Sequence, residues 1–189
     1  MWSYGRVMGA LAKVHIIPVT PVSADIFFAI ACCPSYALCG GIVLARIIYS
    51  IVFYLLTPFI CARLWWRGRR VPGYRRRWLE RFGFVAAIPA SQKVIWVHSV
   101  SVGETIAAAP LIKRLQNSYP AYLVAVTTTT PTGSERVRAM LGDSVYHSYA
   151  PYDLPDAVNR MLDRLHPEFL IIMETELWPN LIANCQSRG

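Results

Sequence analysis

Residues 42–62, IVLARIIYSIVFYLLTPFICA, hold twelve Ile, Leu, Val or Phe side chains and one charge, Arg46; eight arginines and a single acid, Glu80, then follow between Arg63 and Arg81. An apolar run of that length matches the thickness of a bilayer core. Each of the twelve contributes roughly −0.3 to −0.6 kcal/mol to insertion, whereas a central Arg costs roughly 2.5 to 3.5 kcal/mol. The apolar residues outweigh Arg46, which lies near one end and can extend towards water. Residues 42–62 are therefore expected to form a membrane anchor helix. A buried core helix, or an amphipathic one lying in the interface, is the competing reading, and Pro58 with Arg46 gives it weight.

Basic flanks stay on the cytoplasmic side and attract anionic lipid headgroups. Residues 63–92 are thus a basic membrane-proximal segment, and everything after Arg63 is expected to face the cytoplasm. Trp65, Trp66, Tyr74 and Trp78, interleaved with the arginines, fit an interfacial belt. No recognition-helix or RNA-module signature follows, so no nucleic-acid partner is expected. Of the chain's formal net charge of +8, this cluster carries +7. With 54% hydrophobic and only 16% charged residues, neither a disordered tail nor a coiled coil is possible. Five cysteines without a CxxC pair give no disulfide framework and no zinc site. Residues 1–41 read as an N-terminal extension of open role: a second span, a signal-like region or a misplaced start.

From Lys93 to Gly189 the pattern alternates. KVIWVH, AYLVAVTTTT, SVYHSYAPYD and EFLIIMET read as strands, each followed by a helical segment. Four such units predict a parallel sheet with helices on both faces, and the continuous apolar runs VIWV and LIIM suit strands covered on both sides. In that architecture the chemistry belongs at the carboxyl ends of the strands. The segment His98–Glu104 places a glycine and a carboxylate in the opening turn of a helix, where Glu104 would be available as a general base. Thr127–Glu135 offers hydroxyls and a Gly133 turn suited to sugar or phosphate oxygens. Glu174 and Glu176 stand where LIIM ends. The plain alternatives are helix-dipole chemistry for Glu104 and capping for the threonines. Asp153 and Asp156 are expected to cap the helix that follows them. The scattered histidines lack metal spacing, and neither GxGxxG nor GxxxxGK[ST] occurs, which argues against metal, dinucleotide and P-loop sites.

Taken together, LWWRGRR, YRRRWLERFGF, HSVSVGET, TTTTPTGSERV, YAPYDLPDAV and METELWPNL resemble the N-terminal half of the 3-deoxy-D-manno-octulosonic acid (Kdo) transferases, over about residues 42–189. The resemblance implies a Rossmann-like N-terminal acceptor domain of a two-domain GT-B glycosyltransferase, preceded by a membrane-anchoring helix. It implies transfer of Kdo from CMP-Kdo to a lipid A precursor with inversion, at the cytoplasmic face of the bacterial inner membrane, in lipopolysaccharide biosynthesis, with no cofactor and no metal. Glu104 matches the family's catalytic base and Glu174 a residue regarded as stabilising the transition state. Ser99, Ser101, Gly103, Thr130, Thr132 and Gly133 would line the acceptor cleft. Arg63, Arg67, Arg69 and Arg70 would meet acceptor and lipid phosphates.

Two departures from the family pattern bear on activity. The donor-binding half that would hold CMP-Kdo has no counterpart before Gly189, so the 189 residues alone are expected to be inactive. Residues 1–41 also have no family counterpart. The alternative function is a non-catalytic membrane-bound module that holds a lipid A precursor or anionic lipid.

Overall fold

The computed structural model describes residues 14–19, 39–173 and 178–188. The chain runs β1 (Val14–Pro18), α1 (Cys39–Arg67), two short 3-10 turns at Pro72–Arg75 and Trp78–Phe82, β2 (Lys93–His98), α2 (Val102–Ser118), β3 (Tyr122–Thr128), α3 (Pro131–Leu141), β4 (Tyr146–Tyr149), α4 (Pro155–Leu165), β5 (Pro167–Met173) and α5 (Pro179–Gln186). Among the described residues the sheet has five strands in the order β1-β5-β2-β3-β4. The four strands read from Lys93 onward pair in parallel.

The fifth strand corrects the all-parallel expectation. β1 comes from the extension of open role and pairs antiparallel with β5, Val14 opposite Met173 and Pro18 opposite Phe169. Without it β5 would present a row of unpaired backbone groups. Pro18, which has no N–H to give, sits at the end of an edge strand, where proline is tolerated.

The strand residues alternate strictly between two cores. Val94, Trp96, Ala125, Leu170 and Ile172 point to the face covered by Val158, Met161 and Leu162 of α4 and Leu181 of α5. Ile95, Val97, Val124, Val126 and Ile171 point to the other, covered by Ala108, Ala109 and Ile112 of α2 and Val137 and Leu141 of α3. Period-two side-chain direction in strands that are apolar at every position requires this double cover.

Helix α1 is longer than the apolar run that marks it, beginning at Cys39 and ending at Arg67, so Arg63 and Arg67 belong to its last turns. Tryptophan, leucine and arginine are all acceptable in a helix, and the turn continues until Gly68. By length and composition α1 can cross a membrane. Its circumference is nevertheless divided. Leu44, Ile48, Ile51, Leu55 and Phe59 are exposed, while Ser50, Phe53, Thr57, Ile60 and Leu64 fall on one stripe turned to the protein. There Asn180 Nδ2 donates to Ser50 Oγ at 3.0 Å, the Tyr54 hydroxyl donates to Asp156, and the Phe53 ring meets Tyr152 edge-on at 6.5 Å.

The acids before α4 also differ from expectation. Residue Leu154 occupies the N-cap of α4, with no side-chain cap. Asp153 instead accepts from the backbone N–H groups of Asn180 (3.1 Å) and Leu181 (2.8 Å), capping α5 across the fold. Asp156 lies inside the first turn of α4 and pairs with Arg160 at 2.8 Å.

A clamp fixes the basic segment to the sheet. Arg77, in the left-handed region at φ 57°, donates to Glu80 at 2.6 Å, to Ser134 Oγ at 3.1 Å and to the His147 carbonyl at 3.0 Å. Glu80 in turn accepts from the Tyr149 N–H at 2.8 Å. Arg81, only 4% exposed, donates to the Thr129 carbonyl at 2.9 Å and lies over the Tyr149 ring at 4.3 Å. A guanidinium can only donate, so His147 Nδ1, 3.4 Å from it, is the accepting nitrogen. The hydrogen then sits on Nε2, 3.2 Å from Thr128 Oγ1. Burial, and after it Arg77 and Arg138, lower the His147 pKa to about 3. Burial alone lowers that of His98, at the end of β2, to about 4.

Gly83 closes the clamp at φ 78°, and a Cβ there would stand 2.2 Å from the Ala157 carbonyl oxygen. Gly83→Ala is expected to lower the unfolding free energy by about 1–3 kcal/mol, measured by urea denaturation in uncharged detergent. The two histidines bind protons more readily unfolded than folded, so their contribution is complete above the ordinary value of 6.5 and is lost as pH falls towards 4 and 3. Unfolding free energy should therefore decrease between pH 6.5 and 4, by up to about 1.4 kcal/mol per pH unit for each histidine. His147→Gln should make that slope shallower in denaturation curves taken across the range.

Candidate functional site

The carboxyl ends of β2 and β3 open into two turns that start α2 and α3. In the first, Ser101 is the N-cap of α2, and its hydroxyl accepts the Glu104 N–H at 3.2 Å. Glu104 reaches back, one oxygen accepting the Val100 N–H at 2.7 Å and the other the Ser101 N–H at 3.2 Å. This reciprocal pair is a capping box, which the sequence encodes as Ser-x-x-Glu. Glu104 as a residue is 6% exposed, and its carboxylate is fixed in orientation. Each of its oxygens carries two lone pairs, so the backbone bonds leave acceptor capacity for a further hydroxyl.

In the second turn Thr130 is the N-cap of α3 and accepts the Gly133 N–H at 3.1 Å. Thr132 is exposed, and its hydroxyl donates to that of Thr130 at 3.3 Å. A Cβ on Gly133 would come within 3.1 Å of Thr130 Oγ1 and 3.3 Å of Thr128 Cβ, so this residue is held to glycine by the close return of its own cap. Thr129, between the turns, donates its hydroxyl to the Val100 carbonyl at 2.8 Å. The loops carrying Glu104 and Thr130 are thereby tied side by side.

The residues singled out in the sequence divide accordingly. Glu104, Ser101, Thr130, Thr132 and Gly133 are brought to one edge of the sheet, and Gly103 stands exposed on the first turn of α2 with only Ser101 Oγ near its missing Cβ. Ser99 is fully buried, 3.3 Å from Thr105 Oγ1, with its N–H donated to the Thr127 carbonyl. It supports the turn from beneath rather than lining a cleft. Glu174 and Glu176 lie outside the described residues.

The arginines separate into two groups. Arg63, Arg67, Arg69 and Arg70 are exposed around the end of α1, Arg67 over the Tyr74 ring and Arg69 over the Trp66 ring. Arg77 and Arg81 instead reach the strand ends. The Pro72–Arg75 turn joins the groups to the site, because Gly73 packs so closely on Pro131 of α3 that a Cβ would lie 2.8 Å away. The sequence reading singles out the first four for phosphates and assigns Arg77 and Arg81 no structural role. The signal of the division was Glu80, the lone acid three residues after Arg77.

His98 completes the floor. Thr127 Oγ1 accepts the Trp96 indole N–H at 2.9 Å and is hydrogen-bonded to His98 Nδ1, also at 2.9 Å. His98 Nε2 has no hydrogen-bond partner among the described residues, and the ring stands edge-on to Trp178 at 4.7 Å.

Residues 76–189 match the family model described as 3-Deoxy-D-manno-octulosonic-acid transferase (kdotransferase). A 3-deoxy-D-manno-octulosonic acid transferase of Haemophilus influenzae is 46% identical over 139 residues, which cover 72% of this chain and 32% of the relative. A probable mitochondrial 3-deoxy-D-manno-octulosonic acid transferase of Arabidopsis thaliana is 38% identical, with coverage of 71% and 30%. The Bordetella pertussis transferase is 36% identical, with coverage of 77% and 36%. The chain spans about a third of the length of these relatives. Both capped turns and the Arg77–Arg81 clamp fall within residues 76–189, and the chain belongs to the 3-deoxy-D-manno-octulosonic-acid transferase family.

Proposed function

We propose that this chain is the acceptor-side, Rossmann-like domain of a GT-B Kdo transferase of lipopolysaccharide biosynthesis, working at the cytoplasmic face of the bacterial inner membrane. The observation that carries the reading is the oriented carboxylate of Glu104, at the sheet edge where α/β folds keep their chemistry. Glu104 accepts the proton of a hydroxyl on a lipid A precursor as that oxygen attacks the anomeric carbon of Kdo. The new carbon–oxygen bond forms on the face opposite the departing CMP, which leaves with the bonding electron pair, and configuration inverts. The capping bonds hold the base still, so no reorganisation is needed at the moment of transfer. Glu174, following β5, is assigned the stabilisation of the transition state. Ser101, Gly103, Thr130 and Thr132 present an open polar margin for the acceptor sugar, with Gly133 shaping the turn behind them. The CMP-Kdo donor is contributed through residues matching the remaining two thirds of the relatives. Arg63, Arg67, Arg69 and Arg70 face anionic headgroups and the acceptor phosphates, where guanidinium forks suit phosphate oxygens, and α1 attaches the domain to the membrane.

A glutamine at position 104 keeps one of the two accepting oxygens of the capping box, so Glu104→Gln removes the proton acceptor at a modest cost to the cap. In membranes carrying the chain together with a donor domain, Glu104→Gln should cost only about 1 kcal/mol of unfolding free energy and reduce Kdo transfer from CMP-Kdo by at least about a hundredfold. Retained turnover in that variant would remove Glu104 from the base role. Replacing Arg63, Arg67, Arg69 and Arg70 with glutamine should weaken sedimentation with phosphatidylglycerol vesicles, most visibly at low salt. Arg81→Gln should instead destabilise the fold, because it removes the donor to the Thr129 carbonyl.

A further inference from the structure

From the pairing of β1 we infer that α1 lies in the plane of one leaflet, side-on to the lipid, instead of crossing the bilayer. The inference rests on the membrane attachment proposed above and concerns its geometry. β1 precedes α1 in the chain and β5 follows it, yet the two strands are hydrogen-bonded neighbours in one sheet, Val14 opposite Met173. A helix that crossed once would put them on opposite sides of the membrane. The docked stripe of α1 leads independently to the same geometry. Ser50 is bonded to Asn180, Tyr54 to Asp156, and Phe53 rests on Tyr152. These contacts occupy consecutive turns with groups of a water-facing domain, and the same turns cannot also be surrounded by acyl chains.

The opposite face is built for lipid. Leu44, Ile51, Leu55 and Phe59 are 54–73% exposed and form the apolar side of a helix about 44 Å long at 1.5 Å per residue. Trp65 and Trp66, also exposed, continue it at headgroup level. The occupant is an anionic leaflet surface, because the exposed arginines that end the helix carry no acid among them between Arg63 and Arg76. In-plane geometry also accommodates Arg46, the one charge in the apolar run, which stays at headgroup depth at no insertion cost. It holds the Glu104 and Thr130 turns next to the layer from which a lipid acceptor would be drawn.

The test uses the full chain on vesicles of phosphatidylglycerol and phosphatidylcholine, with its cysteines replaced and a single environment-sensitive fluorophore placed in turn at residues 44, 51 and 59. Depth is read by quenching with lipids brominated at known carbons. An in-plane helix gives the three sites the same shallow depth to within about 5 Å, each about 5–10 Å below the headgroups. A crossing helix separates residues 44 and 59 by roughly 22 Å, and that gradient would overturn the inference, including the case in which residues before Cys39 form a second crossing. A second measurement needs no cysteine replacement: protease added outside sealed vesicles should release terminal tags from both ends of the chain. Protection of one tag alone would mean a single crossing and would also overturn it. Failure to bind vesicles at all would refute membrane attachment itself, whereas binding with a depth gradient would refute only the in-plane geometry.

Discussion

A guanidinium buried without a carboxylate of its own is the constraint around which the rest of this molecule is arranged. Arg81 is withdrawn from water against the Thr129 carbonyl and the face of Tyr149. A buried charge is tolerated only when fixed dipoles and rings replace its hydration. Its neighbour Arg77 is held by Glu80, Ser134 and His147. Apart from Glu80, these partners lie in β4, in the first turn of α3 and just after β3, so the clamp forms only when β3, β4 and α3 are in register. It also fixes the segment that follows α1 against the sheet.

The site follows from the same economy of parts. Two helices begin side by side, and both are capped by hydroxyls from the residue preceding the first turn, Ser101 and Thr130. Thr129 spans the gap between the loops. A glutamate serves as half of a capping box and as the proposed base without conflict, because accepting backbone hydrogen bonds uses only part of what a carboxylate offers. Rigidity that stabilises the helix is at once the preorganisation that proton transfer needs.

Much of this was legible in the residues. Period and punctuation placed β2, β3, β4 and β5 with their helices, since apolar runs bounded by proline and glycine turns leave little freedom. Glu104 and the Thr130 turn were found because they are local: a cap, a glycine and a carboxylate within seven residues. What escaped detection is non-local. The antiparallel β1 depends on an edge that exists only once β5 is in place. Asp153 reads as a cap for the helix beside it and in fact serves α5, because the loops before the two helices meet only in the folded domain. The division of eight arginines into six at the surface and two in the clamp depends on which carbonyls and rings lie within reach after folding. The length of an apolar run likewise records how much lipid a helix could displace and leaves open which of its sides will meet protein.

The contact between Ser50 and Asn180 joins residues 130 positions apart, and a ribosome delivers them in that order. At about 5–20 residues per second, α1 is complete for roughly 6 to 24 s before the helix it docks against exists. During that interval the apolar side chains of α1 have no α5 to dock against. Under the proposed membrane attachment, the nascent chain would meet the bilayer as a tethered helix, and the sheet would assemble afterwards, so that attachment precedes folding.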